Sequence, residues 1–193
     1  MKRLVLMLLA AALVQGASAQ GVKKQTVLAD GSRELTTSEC CYARGGGIFA
    51  RRQMVAMSHL VTPSDSTAWC IIMPMNLKKR CEVAEGSSLV LKLQNGGMVE
   101  LHCAQGVKKG DNYEELNHTF TISPRYAISE EQINQLSQWE VESIGMETSR
   151  GNVGIARQDY RGEWRFSSMV QRCHNVLKWK LDELRQQLLT ASK

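Results

Sequence analysis

The sequence is poor in the patterns that announce chemistry. It has no G-x-S-x-G, S-x-x-K or H-E-x-x-H, so the usual nucleophile and zinc-protease arrangements are not spelled out. It has no G-x-x-x-x-G-K-[ST]; the glycine run Gly45-Gly46-Gly47 leads into Ile48-Phe49, which is not a phosphate-binding helix start. Neither C-x-x-C nor H-x-x-x-H occurs, which removes the common zinc spacings, and no metal, cofactor or catalytic side chain is expected. Proline and glycine are too few, 3 and 15 of 193 residues, for widespread disorder. No aromatic residue is interleaved with the basic clusters, so base stacking has no platform and nucleic acid is not an expected partner. Beyond the N-terminus no stretch reaches the roughly 18 apolar residues of a membrane-spanning helix. There is no internal repeat or low-complexity tract.

What is present begins with an export signal. Lys2 and Arg3 form a positive start, Leu4 to Val14 is an unbroken apolar run, and Ala17-Ser18-Ala19 is a small-x-small cleavage pattern before Gln20. The run makes about 16 Å of helix, roughly half of a bilayer's hydrocarbon core. A signal peptide over residues 1–19, a single domain over 20–193 and a periplasmic or secreted location are therefore expected. The mature chain would carry 22 basic and 19 acidic residues, a net charge of +3. That mild excess points weakly to an anionic glycan or an envelope surface as partner.

Six cysteines remain after cleavage: Cys40, Cys41, Cys70, Cys81, Cys103 and Cys173. An even number in an exported chain reads as a disulfide framework. A Cys40–Cys41 bridge would strain a ring between neighbours, and the remaining connectivities stay open. Cys103 and Cys173 fall on apolar faces, where burial suppresses thiol reactivity.

Periodicity gives the elements. Residues 20–47 read as partly irregular, with one or two short strands. Met54–Val61 and Ala68–Met75 read as a strand pair across 62–66, and 68–73 as covered on both faces. Ser88–Cys103 alternates as a hairpin. With Asn95-Gly96-Gly97 as a three-residue loop, Leu93 pairs with Val99, Leu91 with Leu101, Leu89 with Cys103, and Lys92 with Glu100. Thr119–Ile122 reads as a strand. Ser129-Glu130-Glu131-Gln132 is a capping box, with Ile128 and Ile133 as its hydrophobic staple, opening a helix to about Gln138. Val141–Thr148 and Asn152–Gln158 form a hairpin across Ser149-Arg150-Gly151. A helix over about Ser168–Thr190 carries the stripe Val170, Cys173, Leu177, Leu181, Leu184 and Leu188, expected to bury Leu177 and Leu181 on the sheet. The fold class is α+β: an antiparallel sheet of six to eight strands, covered on one face by the long C-terminal helix, with a short crossover helix.

Two stretches resemble a known group. Residues 86–101, from Gly86-Ser87-Ser88 through the Asn95-Gly96-Gly97 turn to Leu101, and residues 126–148, from Tyr126-Ala127-Ile128 to Met146-Glu147-Thr148, are similar to segments of small exported proteins of unknown function in Bacteroidota. The resemblance covers about a third of the chain. Ile144-Gly145-Met146 departs from the Ile-Arg-Ile type of strand in that group. The resemblance implies compartment and fold type but no activity. Asp65-Ser66-Thr67 also resembles a Bacteroidota O-glycosylation triplet, making Ser66 a candidate acceptor.

The function expected is that of an exported, non-enzymatic binding or envelope-associated protein. The alternative is an exported hydrolase or thiol-redox enzyme with a cysteine/histidine site. Cys173 and His174 are adjacent, but helix neighbours point about 100° apart. The residues without a structural assignment are Cys40, Cys41, His59 and His118, so such an enzyme would be sought there. Arg51-Arg52, Lys78-Lys79-Arg80 and Lys108-Lys109 are the basic clusters. They act as a binding surface only if the fold brings them together.

Overall fold

The computed structural model describes residues 21–45, 52–62, 67–77, 79–108, 113–114, 119–160 and 162–191. The expected signal peptide, Ser66 and His118 lie outside these residues.

Among the described residues the elements run β1 (Val22–Val27), β2 (Arg33–Thr37), β3 (Cys40–Arg44), β4 (Arg52–Val61), β5 (Thr67–Ile72), β6 (Met75–Leu77), β7 (Ser88–Leu93), β8 (Met98–Gln105), β9 (Tyr113–Glu114), β10 (Thr119–Ile122), β11 (Arg125–Ile128), α1 (Glu130–Gln138), β12 (Val141–Thr148), β13 (Gly151–Ala156), a 3-10 turn (Arg157–Asp159) and α2 (Phe166–Ala191). The large sheet is ordered β1-β2-β4-β5-β11-β8-β7-β12-β13, with β3 also on β4, and every pairing is antiparallel. β2 and β3 lie end to end along β4, pairing with its two halves. β6, β10 and β9 form a separate three-stranded sheet.

The α+β reading holds, with α2 packed on the antiparallel sheet. The strand count does not: the large sheet has ten strands, not six to eight. The difference arises partly in the described residues 21–45, which hold β1, β2 and β3. β1 is mostly exposed, so it pairs by its backbone and leaves no alternating apolar trace in the sequence.

One face of the sheet supplies the core. Leu35, Val55, Met57, Trp69, Ile71, Tyr126, Leu101, Leu89, Leu91, Ile144 and Met146 succeed one another across the strands and are all buried. Trp69 is 8 % exposed and Cys70 half-buried, so 68–73 is not covered evenly on both faces: Ala68 is exposed.

The β7–β8 hairpin turns on three residues, as expected, but the loop sits one residue earlier. Gln94-Asn95-Gly96 is the loop, and Leu93 donates to the Gly97 carbonyl at 2.8 Å. Leu91 therefore faces Val99, Leu89 faces Leu101, and Lys92 faces Met98 instead of Glu100. Gly96 takes the left-handed third loop position at φ +83°, and Asn95 Oδ1 accepts from the Gly97 N–H at 2.9 Å. The register moved by two residues, so the same side chains still face the core. Lys92 pairs instead with Glu142 on β12, at 3.5 Å.

The capping box forms as read. Ser129 Oγ accepts from the Gln132 N–H at 3.1 Å, and Gln132 Oε1 accepts from the Ser129 N–H at 2.9 Å. α1 carries the chain from β11 past β8 and β7 to β12 and packs on α2. Val170, Cys173 and Leu177 of the α2 stripe are buried to 0–1 % exposure. Leu181 is only half-buried at the rim of the core. Of the two leucines expected to be buried, only Leu177 is fully so.

Candidate functional site

All six cysteines are free thiols, and each has a local structural setting. Cys103 points into the core, with His102 outside, as the hairpin alternation requires. Cys81 is buried near Thr148, and burial raises its thiol. Cys70 lies on the opposite face of the sheet, where Arg125 pairs with Glu34; burial outweighs Arg125 and holds the Cys70 thiol up. Cys41 is half-buried, with Sγ 3.4 Å from the Ala43 carbonyl.

Cys40 and Cys173 meet. β3 opens with Cys40, the second turn of α2 carries Cys173, and their sulfurs are 3.5 Å apart in the interior. The Cys173 S–H hydrogen bond draws the Cys40 thiol down to about 7 against the opposing effect of burial, with help from the Arg172 charge. The partner thiol, Cys173, is held up by the same bond and by burial.

One residue further along α2, His174 enters an aromatic stack. His59 and Trp69 are direct cross-strand partners on β4 and β5. The indole of Trp69 lies 4.0 Å from the His59 ring and 4.6 Å from the His174 ring, centroid to centroid. Both imidazoles are buried, at 3 % and 5 % exposure. His174 Nε2 is 3.4 Å from Glu130 Oε2 without hydrogen-bond geometry, and Lys178 Nζ is 3.7 Å from the same oxygen. Glu130 thus does more than complement the dipole of α1.

Burial lowers the His174 pKa from the ordinary 6.5, with Glu130 opposing and losing. The unfolded chain then takes up this proton more readily than the folded one. Stability from this group is complete above pH 6.5 and is lost as the pH falls through the folded value. Unfolding midpoints followed from pH 7.5 to about 5 should fall with acid in the native chain, and His174→Gln should flatten that slope.

Among the described residues, two of the basic clusters are brought together; Arg51, Lys78 and Lys109 lie outside those residues. Val83 and Val107 pair through two backbone hydrogen bonds, of 3.1 and 2.9 Å, which brings the segment of Lys79-Arg80 beside that of Lys108. Arg80 lies 5.0 Å from the centre of the Phe120 ring. Arg52 is at the start of β4, directly opposite Arg44 of β3, and both are exposed. Residues 162–165 run alongside β3, with the backbone N–H of Arg44 donating to the Glu163 carbonyl at 3.0 Å and that of Arg165 to the Tyr42 carbonyl at 2.7 Å. Gly162 is required there: a Cβ would sit 2.4 Å from the Arg44 carbonyl oxygen. The Arg165 guanidinium holds the Glu163 carboxyl below the usual range, and Arg44 adds to this. Two guanidinium groups, of Arg165 and Arg44, therefore act on one carboxylate, and Arg52 stands across the ladder from Arg44.

An open groove adjoins this corner. Lys92, Glu142, Ser143, Arg157, Gln158 and Tyr160 line it, and Gly162 joins its wall to Arg44. Gln53 Nε2 donates to the Tyr160 hydroxyl at 2.8 Å and fixes the ring. Trp164 supports the same ring from below, centroid to centroid 5.7 Å, and donates its indole N–H to the Val141 carbonyl. The groove offers the cations Lys92 and Arg157, an amide, hydroxyls and an anchored aromatic ring, together with one carboxylate, Glu142, that is paired with Lys92. Arg157, Gln158 and Tyr160 escaped the sequence reading, because Asn152–Gln158 was expected to continue as strand, whereas β13 ends at Ala156 in the 3-10 turn.

Among the described residues no group of three histidine, cysteine or acidic side chains is placed to hold a metal ion, and no helix is long and apolar enough to cross a membrane. No protein family, curated protein or solved structure matches the chain.

Proposed function

We propose that this chain is an exported, non-enzymatic binding protein whose ligand is an anionic glycan of an envelope surface, held in the groove between Lys92, Arg157 and Tyr160. The observation that carries this reading is the direct opposition of Arg44 and Arg52 beside that groove. Like charges facing each other across an antiparallel ladder repel. Glu163 offsets part of the repulsion but is already bonded to Arg165. A carboxylate or sulfate at the corner would neutralise the remainder and gain charge-assisted hydrogen bonds. The groove supplies what a sugar needs beside its charge: an apolar ring face in Tyr160, and hydrogen-bonding groups in Gln158 and Ser143. The signal-like N-terminus supports export, which is where such a polymer is met.

Two measurements test the two halves of the reading. Mass spectrometry of the protein recovered outside the cytoplasm should give a chain starting at Gln20; a chain starting at Met1 contradicts export. The mature protein should be retained on immobilised polygalacturonate at low salt and pass through immobilised amylose, its neutral counterpart. Equal behaviour on both would remove the anion from the reading.

A further inference from the structure

The Cys40–Cys173 contact is a second feature of the fold, independent of the groove. The two residues are 133 positions apart, yet their sulfurs stand at 3.5 Å, the contact distance of two thiols. A disulfide needs about 2.05 Å, so bond formation requires a further approach of about 1.5 Å. Both residues sit where side chains from different elements converge: Cys40 on β3, Cys173 on α2, with Thr37 of β2 beside Cys173. A narrow cleft lined by Gly21, Ser38, Arg172 and Val176 lies against the pair and is too tight to hold a water, so an external disulfide reaches Cys40 only through local opening of the α2–β3 packing. Cys40, at 4 % exposure, is the more reachable sulfur, and Cys173, at 1 %, lies behind it. Arg172 places a positive charge near both. A neighbouring cation and a donated S–H favour a thiolate, which is the attacking species in exchange.

We infer that Cys40 and Cys173 are a redox pair that closes into a disulfide on meeting an external disulfide, and that the bond clamps α2 onto β3. Cys40 loses its proton, and its sulfur attacks one sulfur of the external disulfide. That S–S bond breaks, and the departing thiolate takes up a proton. The Cys173 thiol then gives up its proton, and its sulfur attacks Cys40 Sγ in the mixed disulfide, releasing the second external thiol. Two cysteine thiols are oxidised, one external disulfide is reduced to two thiols, and two protons pass to the leaving groups. The remaining cysteines, Cys41, Cys70, Cys81 and Cys103, stay reduced.

The folded mature protein, treated with oxidised glutathione and then denatured and alkylated, tests this. Four cysteines should take the alkyl group, and the intact mass should fall by two hydrogens before alkylation. Trypsin should yield the peptide 34–44 joined to 173–178. The first peptide holds both Cys40 and Cys41, so Cys41→Ser must retain the link and Cys40→Ser must lose it. The clamp encloses a long loop, so oxidation should raise the unfolding midpoint by about 10 °C. Six alkylated cysteines after oxidation, a link surviving in Cys40→Ser, or an unchanged midpoint in the linked protein would each overturn the inference.

Discussion

Leu177→Ala should lower the stability of the folded chain by about 2–5 kcal/mol, the range for removing a buried leucine side chain and leaving a cavity. Leu177 is at 0 % exposure, on the α2 stripe between Cys173 and Leu181. α2 packs on β1, β2, β3 and β4, so those strands are held from one side by this stripe. The hole cannot fill by collapse, because the helix is also fixed at its start. Ser167 Oγ donates to the Trp139 carbonyl at 2.9 Å, and the Ser167 N–H donates to Glu140 Oε1 at 2.8 Å. Leu181→Ala should cost clearly less, since half-burial leaves less apolar surface to return to water. Urea unfolding of the two variants measures both values. Equal losses would mean that the helix is seated a turn differently on the sheet.

The sequence is legible wherever a local rule has one solution. Ser129 and Gln132 can satisfy each other's backbone only at a helix start, and they do so. The stripe of α2 and the alternation of β7 and β8 assign their faces correctly. The hairpin shows where such rules stop. A pattern of period two fixes the face of each residue but is unchanged by a shift of two, so Leu91 opposite Val99 and Leu91 opposite Leu101 look alike from the alternation. The turn decides, and two adjacent glycines, Gly96 and Gly97, offered it two settings. β1 is harder still, because an exposed edge strand needs no pattern at all.

The candidate site was barely legible, because its parts are distant in the chain. Lys92 comes from the hairpin, Arg44 and Arg52 from the β3–β4 pair, and Arg157 and Tyr160 from the turn after β13. Arg51-Arg52 stood out as a cluster, but Arg44 did not, and only the β3–β4 register brings the two arginines face to face. The thiols behave in the same way. Six cysteines permit many pairings, and the packing of α2 on β3 is what selects Cys40 and Cys173 as neighbours. The enzyme alternative would need a histidine at Cys40 or Cys41; Cys40 meets a sulfur, and His59 stacks on Trp69.

The second large effect follows from the charge at the groove. Replacing Arg44 and Arg52 together by glutamine removes two guanidinium groups and leaves Glu163 and Arg165 paired. An exposed ion pair contributes about 0.2–1 kcal/mol, so the double exchange should weaken anionic-glycan binding by roughly tenfold at low salt. Both arginines are exposed and the exchange removes their mutual repulsion, so the fold should be kept and the unfolding midpoint should hold or rise slightly. The effect should vanish as salt approaches about 1 M, where screening reaches within about 3 Å.

The most direct measurement is a calorimetric titration of polygalacturonate oligosaccharides into three proteins across a salt series. These are the native mature chain, Arg44→Gln/Arg52→Gln, and Lys79→Gln/Lys108→Gln as a control of equal charge change at residues that do not line the groove. Binding at the groove predicts that affinity falls with salt in the native chain, is about tenfold weaker in the arginine variant, and is nearly native in the lysine variant. Equal losses in both variants would mean that the polymer responds only to net charge, and an arginine variant that binds as the native chain does would contradict the site outright.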